Sequence, residues 1–394
     1  MSNGFIRTHG RIQAYQGPRL VLDAMTPPWP ARYELLDGLR GLACLAVLLH
    51  HLGIAPIGHY AVMVFFVISG YCITASAQAF LRRGLPFGDY LARRARRIYP
   101  PYFFAIALFA VSRIMKAFLQ GTPYWQPSLL EWIQNLTLTQ WVSDLFTHIA
   151  WPADNRTLFV SAFWSLNYEE QFYLVIGLAL VLAAKYRFGL LPSVVALTMI
   201  GLAWNLTFPD GWVTGFFIEY WPHFALGSIL YFVLCESAFT WARAPFLVAS
   251  AFLGLVCAAH FLSWHQSATL ETAGRVYGEL LLLSGLAIAL VLIRPASDRI
   301  SSSLLWQPVA AIGTISYSLY LIHQFNLTLV AAAANLLVPI NAPTPLLVMT
   351  QVILHLMLAA VFWYWCERPF LSRRTVALRP SVAVDAEMQP PARD

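Results

Sequence analysis

Long apolar runs recur along almost the whole of this 394-residue chain. A helix needs about 20 predominantly apolar residues to cross the hydrocarbon core of a bilayer. Ten segments approach or exceed that length, at 38–57, 60–80, 98–118, 158–184, 189–207, 221–237, 245–264, 277–293, 309–335 and 346–366. Backbone groups in lipid must be satisfied within the segment, which favours helices. The sequence therefore predicts an all-α polytopic membrane protein with about ten transmembrane helices.

Composition and charge agree with this class. Hydrophobic residues make up 59% of the chain and charged residues 11%, whereas soluble domains carry about 25% charged residues. If ten spans alternate, 21 of the 25 Lys and Arg residues fall on the side that holds both termini. The positive-inside rule then predicts cytoplasmic termini and a multi-pass protein of the inner (plasma) membrane. The basic loops are expected to contact anionic membrane lipids, and they do not indicate binding to nucleic acid.

Three regions are expected along the chain. Residues 1–36 carry no long apolar run and are interpreted as a cytoplasmic N-terminal extension rather than a signal peptide. The membrane domain covers 37–372, and the polar, proline-containing tail at 373–394 is expected to be disordered and cytoplasmic. The five cysteines are scattered through apolar segments without paired spacing. Neither a disulfide framework nor a metal site is therefore expected.

The first apolar segment carries two ionisable residues on one helix face. Arg40 and His51 lie eleven residues apart in LLDGLRGLACLAVLLHHLG, so their side chains project within about 20° of each other and about 16 Å apart along a helix axis. His50 points about 80° away. An ionisable group at membrane depth costs at least ~2.5 kcal/mol and usually serves a function. The alternatives are a positive anchor at the inner end of the span for Arg40 and a satisfied interior histidine for His51.

A second cluster precedes the third span, in LARRARRIYPPYF. Arg93, Arg94, Arg96 and Arg97 occupy about one helical turn, and Arg93 with Arg97, or with Arg96, would share one face. The planar guanidinium binds phosphate oxygens in bidentate fashion, which favours a phosphate-binding site. The alternative is a topology signal that binds lipid phosphates.

Two glutamates interrupt the apolar helix in SAFWSLNYEEQFYLVIG. Ser165, Glu169 and Tyr173 are four residues apart and share one stripe. Glu170 is turned about 100° away, into an apolar lipid-like setting or a gap between helices. A buried carboxylate needs a cationic or hydrogen-bonding partner. The alternative without a catalytic role is a charged residue at the membrane interface.

Further polar residues gather downstream in GTISYSLYLIHQF. Ser316, Tyr320 and His323 fall on one helix stripe and are candidate pocket residues. Glu367 and Arg368 close the last span in WCERPF, and Pro369 stops it. Each fragment alone is weak, because tyrosine is common at membrane interfaces.

Taken in order, these segments resemble the acyltransferase 3 family of integral membrane acyltransferases, over about residues 34–372. The markers are LDGLRGLACLAVLLHH, FFVISGYCIT, RRARRIYPPY, FWSLNYEEQFYL, GTISYSLYLIH and ERPF. The resemblance implies transfer of an acyl group, most often acetyl, from cytoplasmic acyl-CoA to a hydroxyl. The implied acceptors are sugars, glycans, lipid-linked saccharides or glycosylated small molecules. Acyl-CoA would be a co-substrate, with acetyl-CoA the expected donor and no permanently bound cofactor.

The resemblance also implies roles for particular residues. Arg40 and His51 match the family's essential pair, the arginine cluster matches a stretch associated with acyl-CoA, and Glu169 falls at the WSL-x-x-E carboxylate. One departure is Met63, because the family's second-span motif usually has an aspartate at this position. If that acid normally balances an arginine or shapes the pocket, another group must do so here.

The residue types fit this chemistry. Attack of a hydroxyl on a thioester needs a base and a group that stabilises the developing oxyanion. A neutral His51 is the expected base, Arg40 is assigned to the donor's phosphates or the cytoplasmic mouth, and Glu169 would orient His51 or bind acceptor hydroxyls. A covalent acyl-histidine is a further route. The rival hypotheses are a multi-span transporter of a small anionic or sugar-like solute, although no repeated half is visible, and a catalytically inert scaffold.

Overall fold

A computed structural model describes residues 33–83, 85, 87–142, 158–186, 189–207, 215–264, 270–339 and 343–371. All regular structure in these ranges is helical, which confirms the predicted all-α class. The expected extension at 1–36 lies almost wholly outside the described residues, and the tail at 373–394 lies entirely outside them.

The helices of the first half are α1 (Leu35–His51), α2 (Gly58–Arg82), α3 (Phe87–Gln120), α4 (Leu129–Thr137), α5 (Trp164–Tyr186), α6 (Leu190–Thr207) and α7 (Trp221–Cys235). Those of the second half are α8 (Arg243–Trp264), α9 (Leu270–Ile293), α10 (Ser297–Ser301), α11 (Trp306–Thr314), α12 (Ser316–Ile322), α13 (Leu327–Leu337) and α14 (Thr344–Phe362). Short 3-10 turns precede α5 and α8 and follow α9. A π-helical turn, Trp363–Glu367, extends α14.

Within the described residues, several helices are long and apolar enough to cross a membrane. Five stretches qualify: Gly58–Arg82, Phe87–Gln120, Ala238–Leu262, Tyr277–Ser301 and Thr344–Phe370. The pair α12 and α13 would supply a sixth, although the two helices are bent by 98°. Large apolar side chains such as Phe118 and Phe252 are exposed along these stretches, 70% and 68% respectively. Large exposed apolar surfaces of this kind are typical of contact with lipid.

The predicted count of ten spans is not confirmed by these helices, and neither is the side of the termini. Each of the ten predicted segments overlaps a helix. However, α1 has 17 residues and α7 has 15, which is shorter than a typical span of about 20. In addition, α5 contains Glu169 and Glu170. Length and composition alone therefore identify fewer spans than the hydropathy pattern predicted.

The predicted span 309–335 was wrong as a single helix. The chain breaks at Ile315, where φ is −98° and ψ is 6°, and it breaks again after Ile322. At the second break, His323 Nδ1 lies 3.2 Å from the carbonyl oxygen of Leu319 and 2.8 Å from that of Tyr320. A side chain that satisfies the last carbonyls of a helix favours its termination. The result is a broken, bent element rather than one continuous span.

Two glycines let α1 and α11 approach closely. A Cβ added to Gly313 would lie 1.8 Å from the Asp37 carbonyl oxygen, and one added to Gly41 would lie 2.1 Å from that of Val309. Small residues at such crossings are typical of helix packing in membranes. This contact sets α12 beside α1.

A buried carboxylate connects three other helices. Glu279 of α9 lies 2.5 Å from Nε2 of His59 at the start of α2, and 3.1 Å from Nε2 of His223 in α7. Glu279 is 3% exposed. Ionisable groups at this depth require such partners. These three residues, the His-Glu-His clamp, connect the first turns of α2 and α7 to the middle of α9.

Candidate active site

A cavity of about 100 Å³ lies between α1, α2, α3, α5 and α12. It is lined by Arg40, Val62, Phe65, Phe66, Ser69, Cys72, Ile73, Arg94, Arg97, Ile98, Ser165, Leu166, Glu169, Tyr173, Gly313, Thr314, Ser316, Tyr317, Tyr320 and Glu367. The lining residues of α2 run from Val62 to Ile73. The cavity is thus bordered by about 16 Å of this helix, at 1.5 Å per residue.

Three guanidiniums gather at the Cys72 end of the cavity. Arg40 Nη2 lies 3.7 Å from the Cys72 sulfur, and Arg94 Nη2 donates to the Cys72 carbonyl oxygen at 3.3 Å. Arg97 also lines the cavity, and its guanidinium interacts electrostatically with Cys72 and with the carboxylates of Glu367 and Glu169. Arginines from α1 and α3, far apart in sequence, therefore meet at one site, which makes this end suitable for an anion with several oxygens.

The arginine cluster is divided between two faces of α3, and Arg93 with Arg96, one of the two pairs predicted to share a face, lies on the exposed face. Arg94 and Arg97, three residues apart, face the cavity. Arg93 and Arg96 are exposed, and the Arg93 guanidinium lies 5.0 Å from the centre of the Phe80 ring. The rotation of α3 is set by its fully buried Tyr90. The cluster is thus divided into a cavity pair, Arg94 with Arg97, and an exposed pair, Arg93 with Arg96.

The stripe predicted on α5 lies against the cavity. Ser165, Glu169 and Tyr173 all line it. Tyr173 donates its hydroxyl to Glu169 at 2.7 Å, and Ser69 of α2 donates to the same carboxylate oxygen at 3.2 Å. These hydrogen bonds hold Glu169 in the middle of the cavity. They provide no contact with His51, so the expected orientation of the imidazole by Glu169 has no direct geometric basis among the described residues.

Glu170 lies in a gap between helices, which is one of the two settings predicted for it. Tyr99 of α3 donates its hydroxyl to Glu170, and the residue is partly buried between α3 and α5. Glu170 connects α3 and α5 and is not among the residues that line the cavity.

The sequence interpretation did not place Glu367 in the site. Glu367 is 4% exposed, lines the cavity and accepts a hydrogen bond of 2.5 Å from the Ser318 hydroxyl. It comes from the π-helical turn after α14. The signal was the carboxylate of ERPF at the end of a span, because a charge at that depth is costly without a function or a partner.

His51 lies at the end of α1, next to the short connection that leads into α2. Its Nδ1 lies 2.9 Å from the Val47 carbonyl oxygen, which leaves Nε2 as the free nitrogen. The ring is half-buried and packs against the His323 ring with centroids 4.8 Å apart. The neighbouring His50 is exposed. The two histidines therefore differ in environment as the helical-face argument predicted.

The remaining candidate pocket residues divide into two groups. Ser316 and Tyr320 line the cavity, and the Tyr320 hydroxyl lies 2.7 Å from that of Ser165 and also contacts the Ala162 carbonyl oxygen. His323 is buried beside His51 and does not line the cavity. Met63, at the position where the family usually has an aspartate, is fully buried in the apolar core. The departure is thus accommodated by packing.

The family assignment rests on most of the chain. The model of the acyltransferase 3 family, described as an acyltransferase domain, matches residues 33–366. The match includes the three cavity arginines, His51 and Glu169. The chain belongs to this family of membrane acyltransferases.

Several relatives are named O-acetyltransferases. The chain is 26% identical over 340 residues to the peptidoglycan O-acetyltransferase OatA of Listeria monocytogenes, which covers 77% of this chain and 51% of that protein. It is 26% identical over 360 residues to the putative peptidoglycan O-acetyltransferase YrhL of Bacillus subtilis. That alignment covers 85% of this chain and 54% of the relative. The O-acetyltransferase OatA of Staphylococcus aureus is 26% identical over 315 residues, covering 73% and 49%. The chain spans about half the length of these curated relatives. No solved structure matches the chain.

Proposed function

We propose that this protein transfers an acyl group, with acetyl as the expected group, from acyl-CoA to a hydroxyl of a carbohydrate acceptor at the membrane. The observation that carries the proposal is the spacing of its charged groups. Three guanidiniums lie at one end of the cavity, and His51 lies at the opposite end of α1 from Arg40, about 16 Å away along the helix.

This spacing suits coenzyme A. The pantetheine arm contains roughly a dozen bonds between the pyrophosphate and the sulfur, and it reaches about 15 Å when extended. Phosphates held by Arg40, Arg94 and Arg97 would therefore leave the thioester near the C-terminal end of α1, where His51 lies. His51 itself is not among the residues that line the cavity. The arginines would bind the donor, and the arm would cross the level of Glu169.

His51 is the proposed general base. Its Nδ1 is held by the Val47 carbonyl oxygen, so the proton resides on Nδ1 and Nε2 offers a lone pair to the acceptor hydroxyl. The hydroxyl of Ser165, which lines the cavity, is a candidate donor to the oxyanion that develops on the thioester carbonyl. Tyr320 donates its own proton to the Ala162 carbonyl oxygen and would position Ser165.

The acceptor class follows from the named relatives. Two of them are named as peptidoglycan O-acetyltransferases, which supports a glycan hydroxyl as the acceptor here. We further propose a multi-pass orientation in the inner membrane with both termini in the cytoplasm. This orientation would place the arginine end of the cavity toward cytoplasmic acyl-CoA.

The donor site is tested by comparing the two arginine pairs. In the protein purified into lipid vesicles, release of free CoA from acetyl-CoA is measured with a chito-oligosaccharide as the acceptor probe. The variants compared are Arg94→Ala/Arg97→Ala and Arg93→Ala/Arg96→Ala. The cavity pair should raise KM for acetyl-CoA at least about tenfold, because binding shared by ground and transition states is lost. The exposed pair should change it little and serves as the control. Equal effects of both pairs would contradict the donor site, and absence of CoA release by the wild-type protein would favour the transporter.

A further inference from the structure

One buried nitrogen next to His51 lacks a partner. His323 is 1% exposed, and its Nδ1 contacts two carbonyl oxygens, whereas its Nε2 has no hydrogen-bond partner among the described residues. Because Nδ1 faces acceptors, it carries the proton and Nε2 is a lone pair. Buried polar atoms without partners are uncommon and require an explanation.

The two imidazoles contact each other directly. The rings of His51 and His323 have centroids 4.8 Å apart and planes at 70°, an edge-to-face arrangement. Each ring is held through Nδ1 by a backbone carbonyl of its own helix. Edge-to-face packing places the positive edge of one ring against the electron-rich face of the other. The contact thus suits a pair in which one ring is transiently a cation.

A base at this position creates a charge that needs stabilisation. Taking up a proton would turn His51, which is half-buried, into a cation with reduced access to water, which is costly. The cavity carboxylates are engaged elsewhere, Glu169 with Ser69 and Tyr173, and Glu367 with Ser318. His323 is the buried polar side chain in ring contact with His51.

We propose that His323 is a positioning residue for acyl transfer, which fixes the His51 ring and stabilises it while it carries the proton. The inference rests on the proposed function. As the acceptor oxygen bonds to the thioester carbonyl carbon, its proton passes to Nε2 of His51. The carbon–sulfur bond then breaks, and the thiolate that leaves takes up the proton from His51. His323 stays neutral throughout and transfers no proton itself.

Three substitutions separate the parts of the imidazole. His323→Asn keeps a donor near the Nδ1 position, His323→Gln places a polar group near the Nε2 position, and His323→Phe keeps the ring without nitrogen. CoA release is measured in vesicles with acetyl-CoA and a chito-oligosaccharide as the acceptor probe. We expect His323→Asn and His323→Phe to lower kcat at least about tenfold with KM for acetyl-CoA nearly unchanged, since an interaction of the protonated state is lost. His323→Gln should retain a substantial part of the wild-type kcat.

His260 of α8 provides a control outside this contact. Its Nδ1 lies 2.9 Å from the Val256 carbonyl oxygen of its own helix, and its ring stacks on that of Tyr277 with centroids 5.1 Å apart. Its ring is not in contact with that of His51 in the part of the chain described. His260→Asn should therefore leave kcat within about threefold of the wild-type value.

The outcomes are distinguishable. Wild-type kcat in His323→Phe would overturn the inference while leaving the proposed function intact. A uniform loss of folded protein in all three variants, measured by size-exclusion chromatography in detergent, would assign His323 to helix packing and would also overturn it. A wild-type protein that releases no CoA contradicts the proposed function itself.

Discussion

Gly313→Ala should separate α1 from α11 and disable the site. The added Cβ would lie 1.8 Å from the Asp37 carbonyl oxygen, about 1.6 Å closer than ordinary contact at 3.4 Å. Because the obstacle is backbone, the helices must move apart. Overpacking typically costs ~1–3 kcal/mol. Displacement of a site by about 1 Å can lower a rate on the order of 10²-fold, so we expect a loss of that size in CoA release.

The assay pairs this variant with two others. In Gly41→Ala, the added Cβ would lie 2.1 Å from the Val309 carbonyl oxygen, on the opposite side of the same helix contact. Gly41 does not line the cavity. A similar loss of activity in this variant would therefore show that helix separation is the cause. Gly285→Ala meets nothing within 4 Å and should retain activity and thermal stability. Wild-type turnover in Gly313→Ala would refute the reasoning, because the close contact would then not position the site.

Three further predictions concern single side chains. His51→Ala should lower CoA release by about 10²–10⁴-fold, because a general base is lost, while His50→Ala should have a mild effect; the reverse order would contradict the assignment. Glu169→Gln should lower kcat at least about tenfold. Glu170→Gln should lower it less, because the glutamine can still accept the hydrogen bond from Tyr99. Equal losses of kcat in the two variants, with reduced protein in the membrane, would indicate a role in folding. Glu279→Gln should lower the thermal unfolding temperature in detergent by several degrees, because a buried carboxylate loses its charge between two histidines; an unchanged temperature would show that the clamp contributes little to stability.

The helical class was predictable because lipid leaves few alternatives. Each apolar run must satisfy its own backbone, so the ten segments were recognisable from hydropathy alone. The interruption of 309–335 was not, because Ile315 is apolar and nothing local requires a break there. That break depends on tertiary contacts, including the close approach of Gly313 to α1.

The site was predictable in its residue types and less so in its geometry. Helical spacing separated His51 from His50, and the stripe of Ser165 and Glu169 lies on the cavity as expected. The orientation of the arginine helix could not be derived, because it depends on which aromatic ring is buried, in this case Tyr90. Glu367 lies 49 residues after Ser318, and folding of the chain brings the two side chains into contact.

The His-Glu-His clamp places a demand on assembly of the chain. His59 and Glu279 are 220 residues apart. At synthesis rates of about 5–20 residues per second, His59 leaves the ribosome roughly 10–40 s before its partner exists. During that interval the polar end of α2 must remain in water or be held by the insertion machinery. The His59 imidazole therefore gains its carboxylate partner only after α9 has been made.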